Sequence, residues 1–455
     1  MEFSDFYKHS SYLTKFSPDG LHIATVYQKR LAVRDSITLK VLNVNQSDTA
    51  IEHVNWSPDS HFFLAASYTA GTVYIGCIGE NNWSAVIEEG TAGLKHARWT
   101  PDGRGIMCFS DFRLRLTIWS LATGDVCYMQ NPKYNEKGYS FRKDGRYFAL
   151  TERREGKDFI GIYDCENKWN LVRHFAVDTV DLDNIAWSPD GRVIAVWDNC
   201  IQYKVLIYTP DGRCQKSYCA YEMGLGVKTA TWSPSSQFLA VGSYDQRLRF
   251  LGNYTWEPVI EFYHAGAVNV EGLTILREDV EMPAREYEKP IVTYIKEEQP
   301  YELPANRAGP EKGQPRIGVG TCKFNADGTL LASRNGKSCV WIWDICNIQP
   351  IVLIVQLKPV KQFLWNPIDP DQLAICSGSN TLCFWSAHEM DVCHVDVPNA
   401  TFCVNNIRWR PDGKSLLIMD KNMFSTANFQ CEEDEAGEQD LASIIHSSSS
   451  SSNIK

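Results

Sequence analysis

A short motif returns nine times along this chain of 455 residues and limits the folds that the chain can adopt. Each copy consists of an aromatic residue, any residue, and then Pro-Asp-Gly or a close variant. The aromatic residues are Phe16, Trp56, Trp99, Phe141, Trp187, Trp232, Phe324, Trp365 and Trp409. Successive copies lie 40 to 46 residues apart, except for one step of 92. A period of about 40–45 residues is that of a four-stranded propeller blade, so the spacing predicts repeated blades.

The residues of each copy are those of a tight turn between two strands. Proline presets φ, aspartate bonds the backbone ahead, and glycine takes a positive φ. We expect the aromatic residue to end one strand and to lie between neighbouring blades. An apolar run such as residues 193–196 then supplies a second strand, and a third strand ends in another aromatic, as residues 116–119 do. The pattern therefore predicts an all-β WD-repeat propeller.

Nine copies predict a single ring of about nine four-stranded blades. The ring must hide its sheet edges, because open edges template pairing with other chains. The last copy leaves little room for a fourth strand, and the N-terminal segment 3–7 has no blade of its own. We expect this segment to be the outer strand of the last blade, within a propeller spanning residues 1–430. Since propellers usually have about four to eight blades, two unequal rings or eight blades remain alternatives.

Two segments differ from the blades in composition. Residues 265–316, inside the long step, carry many prolines and glutamates, which predicts a largely disordered acidic loop. The loop connects an outer strand to an inner one, so we expect it on the face where ligands usually dock. It is either a partner-binding or regulatory loop or a tolerated insertion. Residues 431–455 are acidic and end in a serine run, which predicts a flexible, disordered tail.

Charge and composition exclude several classes of function. The net charge of −10 does not suit a nucleic-acid partner, which usually requires a basic footprint. No stretch approaches ~20 uninterrupted apolar residues, so neither a membrane span nor a membrane partner is expected. The 15 cysteines include no C-x-x-C pair, and many lie in apolar strand positions. They are typical of buried thiols in a reducing compartment, and with no signal peptide we expect the cytoplasm.

No catalytic or cofactor motif is complete. Gly336-Lys337-Ser338 ends like a phosphate-binding loop, but position 331 is Leu instead of the required Gly. H-E-x-x-H and G-x-S-x-G are absent. We therefore predict no enzyme activity, no cofactor and no metal, with a catalytic or small-molecule site in the central channel as the alternative. An aspartate recurs between second and third strands and is expected to pin a structural turn, at Asp111, Asp198, Asp245 and Asp420.

Two groups of residues are candidates for partner binding. Aromatic residues and arginines are the usual anchors of protein interfaces, and both are dense in copies four to six. The candidates are Glu152, Arg153, Arg154, Asp198, Tyr203, Tyr221, Glu222, Tyr244 and Asp245. The alternative for each is a role in blade packing or in a tight turn.

Beyond the period, particular stretches resemble one family. They are residues 3–20, Glu152-Arg153-Arg154 with Lys157-Asp158, residues 181–198, residues 232–245 and residues 316–320. In these the chain resembles the centrosomal WD-repeat family called WD-repeat-containing protein eight, the WD-repeat protein antisense to a tumour-protein gene. The similarity extends to about residue 430, whereas the insertion 265–316 and the tail are unlike the family.

This resemblance implies a non-enzymatic scaffold at centrosomes and spindle poles of the cytoskeleton. Members associate with a coiled-coil anchoring protein of the SSX-interacting, Msd-like type, and they help anchor microtubule minus ends. A minus-end-directed kinesin or the γ-tubulin complex is a further candidate partner. Spindle organisation and cilium assembly are the implied processes. The competing hypotheses are an RNA- or ribosome-associated propeller resembling translation factors, and the channel site named above.

Overall fold

The computed structural model describes residues 1–79, 83–281, 291–303, 318–336 and 338–429. Within these residues the chain is all-β, and its helices are two short 3-10 turns at Gly90–Ala92 and Asp111–Arg113. The strands form nine blades, and within each blade the consecutive strands pair antiparallel from the inner strand outward. The prediction of a nine-bladed propeller is therefore confirmed.

Blades 1 to 3 follow one another without insertion. Blade 1 consists of Thr14–Phe16, His22–Tyr27, Arg30–Asp35 and Val41–Gln46. Blade 2 consists of His53–Trp56, Phe62–Ser67, Thr72–Cys77 and Ser84–Glu88. Blade 3 consists of His96–Trp99, Gly105–Phe109, Arg115–Ser120 and Val126–Gln130.

Blades 4 to 6 continue the ring and carry most of the predicted partner-binding residues. Blade 4 consists of Tyr139–Phe141, Tyr147–Arg154, Lys157–Asp164 and Asn170–Val177. Blade 5 consists of Leu182–Trp187, Ile194–Asp198, Val205–Tyr208 and Cys214–Tyr218. Blade 6 consists of Val227–Trp232, Phe238–Ser243, Arg247–Gly252 and Pro258–Tyr263.

Blades 7 to 9 complete the ring. Blade 7 consists of Val319–Phe324, Leu330–Asn335, Cys339–Asp344 and Gln349–Val355. Blade 8 consists of Gln362–Trp365, Gln372–Cys376, Thr381–Ser386 and Asp391–Asp396. Blade 9 consists of Asn406–Trp409, Ser415–Met419 and Met423–Asn428, and the N-terminus completes it.

The two faces of the disc carry different connections. Because the strands of a blade alternate in direction, the turns after first and third strands share one face, here called the lower face. The turns between second and third strands share the upper face with the loops that join one blade to the next. Neighbouring blades touch mainly through their first strands, which therefore surround the central channel.

The N-terminus closes the ring, as predicted. Glu2–Phe3 and Tyr7–Lys8 both pair antiparallel with Met423–Asn428, and they cover the outer edge of blade 9. The Phe6 ring packs on Phe402 with centroids 5.0 Å apart. The first residues of the chain thus supply the strand that its last copy lacks.

The segment 265–316 is not the largely disordered loop that its composition predicts. Thr274–Glu281 lies parallel to Gln349–Val355 and extends the sheet of blade 7, and Ile291–Glu297 pairs with it as a sixth strand. A short ladder joins Ala267–Val268 to Tyr301–Glu302. The composition misled because apolar residues among the glutamates, such as Ile275 and Leu276, are buried against an edge that blade 7 already offers.

The position of this segment also differs from the prediction. Its hairpin extends the outer rim of blade 7, and the Tyr294 hydroxyl lies 2.8 Å from Cys383 Sγ of blade 8. Residues 282–290 and 304–317 of the segment, and the predicted tail 431–455, lie outside the described residues.

The nine aromatic residues of the motif all end the first strands of their blades. Four of the indoles reach back to the preceding blade, where each N–H donates to the carbonyl of the residue before that blade's own aromatic. The pairs are Trp56 to Lys15 at 3.0 Å, Trp232 to Ala186 at 3.2 Å, Trp365 to Lys323 at 2.9 Å and Trp409 to Leu364 at 3.2 Å. The motif therefore ties each of these blades to the innermost strand of its neighbour.

The turns of the motif are also joined across blades. In blade 1 the Ser17 hydroxyl donates to Asp19 and accepts from the His22 N–H at 2.9 Å. The Asp19 N–H donates to Ser60 Oγ of blade 2 at 3.0 Å. Ser60 and Ser236 occupy the glycine position at φ 64° and 60°, and Ser236 accepts the same bond from blade 5. These two departures from glycine supply a hydroxyl that a glycine lacks.

We predict that Trp56→Phe lowers the free energy of unfolding by about 1 kcal/mol more than Trp99→Phe does. Both indoles are 4% exposed, but only Trp56 donates to a neighbouring carbonyl, whereas Trp99 Nε1 has no partner among the described residues. Losing one partner of a buried hydrogen bond costs about 1–3 kcal/mol, which adds to the lost apolar area. Chemical denaturation of the two variants measures the difference, and equal losses would contradict the tie between blades.

We predict that deleting residues 2–8 lowers the melting temperature and produces oligomers. The deletion bares the edge of Met423–Asn428, and an open edge pairs with other chains. Thermal unfolding and size-exclusion chromatography measure both effects. Lys8→Ala, at an exposed position of the same segment, is the control and should behave like the wild type. A deleted form that stays monomeric and melts normally would show that this strand does not latch the ring.

Candidate upper-face interaction site

An arginine surrounded by tyrosines lies between blades 5 and 6 on the upper face. The Arg249 guanidinium donates to Asp245 at 2.6 Å, to Glu261 at 3.0 Å and to the Ser243 hydroxyl at 2.9 Å. It also lies 5.5 Å from the centre of the Tyr203 ring. Two carboxylates, one hydroxyl and one aromatic ring thus contact the arginine, which is buried. Its guanidinium is therefore fixed as a planar platform.

Three aromatic rings pack around this arginine. The Tyr203 ring meets Tyr221 edge-on at 4.9 Å and Tyr218 at 5.9 Å. The Tyr221 ring is half-buried and lies 5.8 Å from the guanidinium carbon of Arg249. Burial and the charge of Asp245 raise the pKa of the Tyr221 phenol to about 12, so this phenol is neutral at physiological pH.

Asp158 is the centre of an ion-pair network over blades 4 and 5. Its buried carboxylate accepts from Lys133 at 2.9 Å, from Arg153 at 3.1 Å and from the Leu182 N–H at 2.8 Å. Asp181 shares both cations, at 2.7 Å each. Burial opposes ionisation of Asp181, but the Lys133 ammonium prevails and lowers its pKa. The network fixes the loop that enters blade 5.

A second carboxylate in blade 4 holds a separate group of side chains. Glu152 is completely buried and accepts from the Tyr163 hydroxyl at 2.9 Å and from Arg154 at 2.6 Å. The His174 ring lies 3.3 Å from the same carboxylate. Glu152 is therefore a buried anchor, and Arg154, which is exposed, is the member of this group that faces solvent.

Three neighbouring loops on the upper face hydrogen-bond to one another. The Asn199 N–H donates to the Asp181 carbonyl at 3.0 Å, and the Gly226 N–H donates to the Cys200 carbonyl at 2.9 Å. The loops are residues 178–181, residues 199–202 and residues 219–226. Within the third loop, the Tyr221 hydroxyl donates to the Leu225 carbonyl. These backbone hydrogen bonds therefore join the three loops to one another on the upper face.

Four apolar side chains project from these loops into solvent. They are Val180, Ile201, Met223 and Leu225, with exposed fractions of 61%, 70%, 89% and 40%, and we call them the loop patch. Large contiguous apolar areas on a protein surface usually mark interaction sites. The loops that carry the patch are held by the Tyr221 bond to Leu225 and by the Asp158 network, so a partner would meet a fixed surface.

The structure separates the predicted partner-binding residues into different environments. Tyr203, Tyr221 and Asp245 meet around Arg249, whereas Arg153 belongs to the Asp158 network. Tyr244 is buried, with the Lys228 ammonium 5.1 Å from its ring centre. Glu222 is exposed next to the loop patch.

The four recurring aspartates have different roles. Asp245 and Asp420 accept N–H groups of their own turns, from Arg247 at 3.1 Å and from Met423 at 2.7 Å. Asp198 accepts instead from the Val180 and Asp181 N–H groups of the preceding loop, at 3.1 and 2.8 Å. Burial raises the pKa of the Asp198 carboxyl, and these two N–H groups oppose the shift.

Asp111 differs again from the other three. It begins a 3-10 turn, and its carboxylate pairs with Lys95 at 3.2 Å. A Cβ on Gly93 would lie only 2.6 Å from this carboxylate, so a larger residue there would force the Asp111 side chain to shift, and Gly93 also has a positive φ of 65°.

Sequence reasoning missed the residues that organise this face. Arg249 stands in an ordinary strand, and Asp158 and Asp181 carry no motif of their own. A usable signal did exist for the loop patch, because Val180, Ile201 and Met223 interrupt polar segments between predicted strands. Their proximity to one another is a tertiary property.

Metal and membrane sites were also considered. Within the described ranges, no group of three or more His, Cys, Asp or Glu side chains is placed to hold a metal ion. In the same residues, no helix has the length and apolar character needed to cross a bilayer.

Comparison with known proteins identifies the repeat. The family model "WD domain, G-beta repeat" matches residues 212–250, which run from the last strand of blade 5 to the third strand of blade 6. The fold and this match define a WD-repeat propeller.

Relatives extend the match to the whole chain. The WD repeat-containing protein WRAP73 of Mus musculus is 40% identical over 442 residues, covering 93% of this chain and 95% of the relative. An uncharacterized WD repeat-containing protein of Schizosaccharomyces pombe is 24% identical over 444 residues, covering 91% and 89%. The chain therefore belongs to the WRAP73 family of WD repeat-containing proteins.

Solved structures show the same fold at low identity. The C-terminal WD40 domain of Sif2 has a TM-score of 0.52 and 11% identity, covering 84% of this chain and 96% of that domain. A eukaryotic initiation factor has a TM-score of 0.57 and 10% identity, covering 87% and 90%. At these identities the similarity concerns the propeller fold alone.

We predict that Asp158→Asn destabilises the protein by about 3 kcal/mol, because it removes the charge that compensates two cations, one of them nearly fully buried. Asp178→Asn is the matched control, since the Asp178 carboxylate is 85% exposed and pairs with Lys204 at 2.7 Å. A carboxylate that water reaches so freely contributes about 0–1 kcal/mol through such a pair. Urea denaturation compares the two variants, and similar losses would argue against a structural role for the network.

Proposed function

We propose that this protein is a non-enzymatic interaction scaffold at centrosomes and spindle poles. In this role it helps anchor microtubule minus ends, and it organises the spindle and the cilium together with a coiled-coil anchoring protein of the SSX-interacting, Msd-like type. The γ-tubulin complex or a minus-end-directed kinesin joins the assembly through that partner. Its place in the cell is the cytoskeleton of the cytoplasm.

The loop patch is the observation that carries the scaffold part of this proposal. Four exposed apolar side chains stand on loops that are hydrogen-bonded together and backed by the Arg249 cluster. Binding to a surface that is already ordered costs less conformational entropy than binding to mobile loops. Aromatic and arginine side chains near such a patch are also the residue types that dominate interface energetics.

A helical partner suits the chemistry of this surface. The outward face of a coiled-coil helix presents charged residues beside apolar ones. The loop patch and the charged residues around it offer the same mixture. Glu222 and Asp178 lie at its exposed margin, and the Arg153 guanidinium is partly exposed nearby. We infer that apolar residues of the partner contact Ile201 and Met223 while its charges meet this rim.

The centrosomal part of the proposal rests on family membership. The 40% identity to mouse WRAP73 extends over almost the full length of both chains, and it includes the copies that form blades 4 to 6. The similarity to an initiation factor is limited to the fold, so an RNA- or ribosome-bound role has no observation of its own in its favour.

We predict that the double variant Ile201→Asp, Met223→Asp loses the coiled-coil partner and the centrosome signal. Two carboxylates in an apolar contact are desolvated without a partner, and we expect at least about a tenfold loss of binding. Affinity purification with mass spectrometry quantifies the recovered coiled-coil anchoring protein, and fluorescence microscopy of the tagged protein measures its presence at spindle poles.

The lower face offers a matched control. Ile37 and Tyr254 are 72% and 98% exposed and stand on turns between third and fourth strands. The variant Ile37→Asp, Tyr254→Asp adds the same charges away from the loop patch and should keep both readouts. Equal losses in the two variants would refute the site. Recovery of ribosomes or RNA in place of coiled-coil proteins from the wild type would refute the function.

A further inference from the structure

The residue before each motif aromatic occupies one layer around the central channel. In chain order these residues are Lys15, Asn55, Arg98, Ser140, Ala186, Thr231, Lys323, Leu364 and Arg408. Four of the nine are cations and none is a carboxylate, in a chain whose acidic residues outnumber its basic ones by 55 to 45. All nine positions lie in the described part of the chain. The layer therefore has a charge opposite to that of the protein as a whole.

The burial pattern of the first strands shows which way these residues face. In His96–Trp99, Ala97 and Trp99 are buried between blades, whereas Arg98 is exposed. The first strand of a blade has neighbouring blades against both of its faces. An exposed side chain on this strand therefore reaches solvent in the central channel. Lys15, Lys323 and Arg408 are half-buried at the corresponding positions.

The positive charges of this layer repel one another. Burial and the charges of Arg408 and Arg98 lower the pKa of the Lys15 ammonium to about 8. Burial also lowers the pKa of the Arg408 guanidinium. His53 begins the first strand of blade 2. Burial, and then the charges of Lys15, His96 and both arginines, lower the pKa of its imidazole to about 3.

Protein groups provide little compensation for these cations. The Nε of Arg408 is buried and has no hydrogen-bond partner among the described residues. Arg98 makes a long bond of 3.4 Å to the Tyr139 hydroxyl, and Lys323 makes one of 3.4 Å to the Phe363 carbonyl. Glu136 acts on His96, and both Glu136 and Glu52 act on Tyr68.

We propose that the central channel binds a small soluble anion bearing several phosphate groups, held by Lys15, Arg98 and Arg408 with Lys323 on the facing side. The cations come from blades 9, 1, 3 and 7 and converge on the axis from different directions. Such an arrangement suits a compact ligand with charges on several sides. Two guanidinium groups also match phosphate oxygens with paired N–H donors.

An anion at this layer would also offset an energetic cost of the fold. A lysine whose pKa is lowered by folding destabilises the native state at pH values below its unfolded pKa. The cations that repel one another belong to different blades, including blades 9 and 1, which meet where the ring closes. A ligand that neutralises their charges would therefore stabilise the whole ring.

The test uses the full chain and inositol hexakisphosphate as the probe. Isothermal titration calorimetry is expected to show binding of one anion per chain, weakening with added salt, and thermal denaturation is expected to show a higher melting temperature with the anion. The variant Lys15→Gln, Arg408→Gln should bind at least about tenfold more weakly, because it removes two charge-assisted donors.

The same variant provides a check on its own folding. Without the anion it should melt at a higher temperature than the wild type, because it lacks two repelling, partly desolvated charges. A damaged fold would melt at a lower temperature, so the two explanations for lost binding are distinguishable. If it melts lower, the single variant Lys15→Gln repeats the comparison.

The control variant Lys143→Gln, Arg173→Gln removes two cations from exposed positions of blade 4 away from the channel. It should bind the anion like the wild type. Equal weakening in both double variants, or the absence of binding to the wild type, would overturn the proposal. Binding to vesicles with a phosphoinositide headgroup but not to the soluble anion would also overturn it, because a flat bilayer cannot reach a layer inside the ring.

Discussion

The interaction on which this structure depends is the contact between the aromatic end of one first strand and the innermost backbone of the preceding blade. A tryptophan at this point buries a large apolar ring, and in four blades its N–H also donates to a backbone carbonyl of the preceding blade's first strand. The same contact sets the distance between blades at the axis. Where the indole bond is missing, as at Trp99, the buried ring alone maintains the contact.

A ring held at its axis and at its lower turns leaves the upper face free to vary. The loops there are joined by backbone hydrogen bonds and by charged networks centred on Asp158 and Arg249. Such networks contribute little net stability but hold loops in one arrangement. The candidate interaction surface is therefore a set of connected loops on a closed scaffold, and the channel is a second, chemically different surface of the same ring.

The two candidate surfaces differ in how far the sequence could reveal them. The repeat register identifies the residue before each aromatic, so the cationic layer of the channel could be read by aligning the nine copies. For the loop patch the sequence shows apolar residues in polar connections, but not that Val180, Ile201 and Met223, which belong to three separate connections, lie near one another. Tyr203 and Tyr221 were predicted as candidates from composition, but the arginine that joins them lies in a strand with no distinguishing neighbours.

The sequence by itself determined the blade, because turn chemistry and the aromatic period are local properties that repeat. Its nine copies predicted nine blades, and the structure excluded the alternatives of eight blades or two rings. The sequence also determined the closing strand, since segment 3–7 had no other sheet to join. Only the tertiary structure decided that Thr274–Glu281 and Ile291–Glu297 are strands, because a weakly apolar segment becomes a strand when a neighbouring edge is available to bury it. It likewise decided which charged groups meet, because Lys133, Asp158 and Asp181 approach one another only when blades 4 and 5 stand side by side.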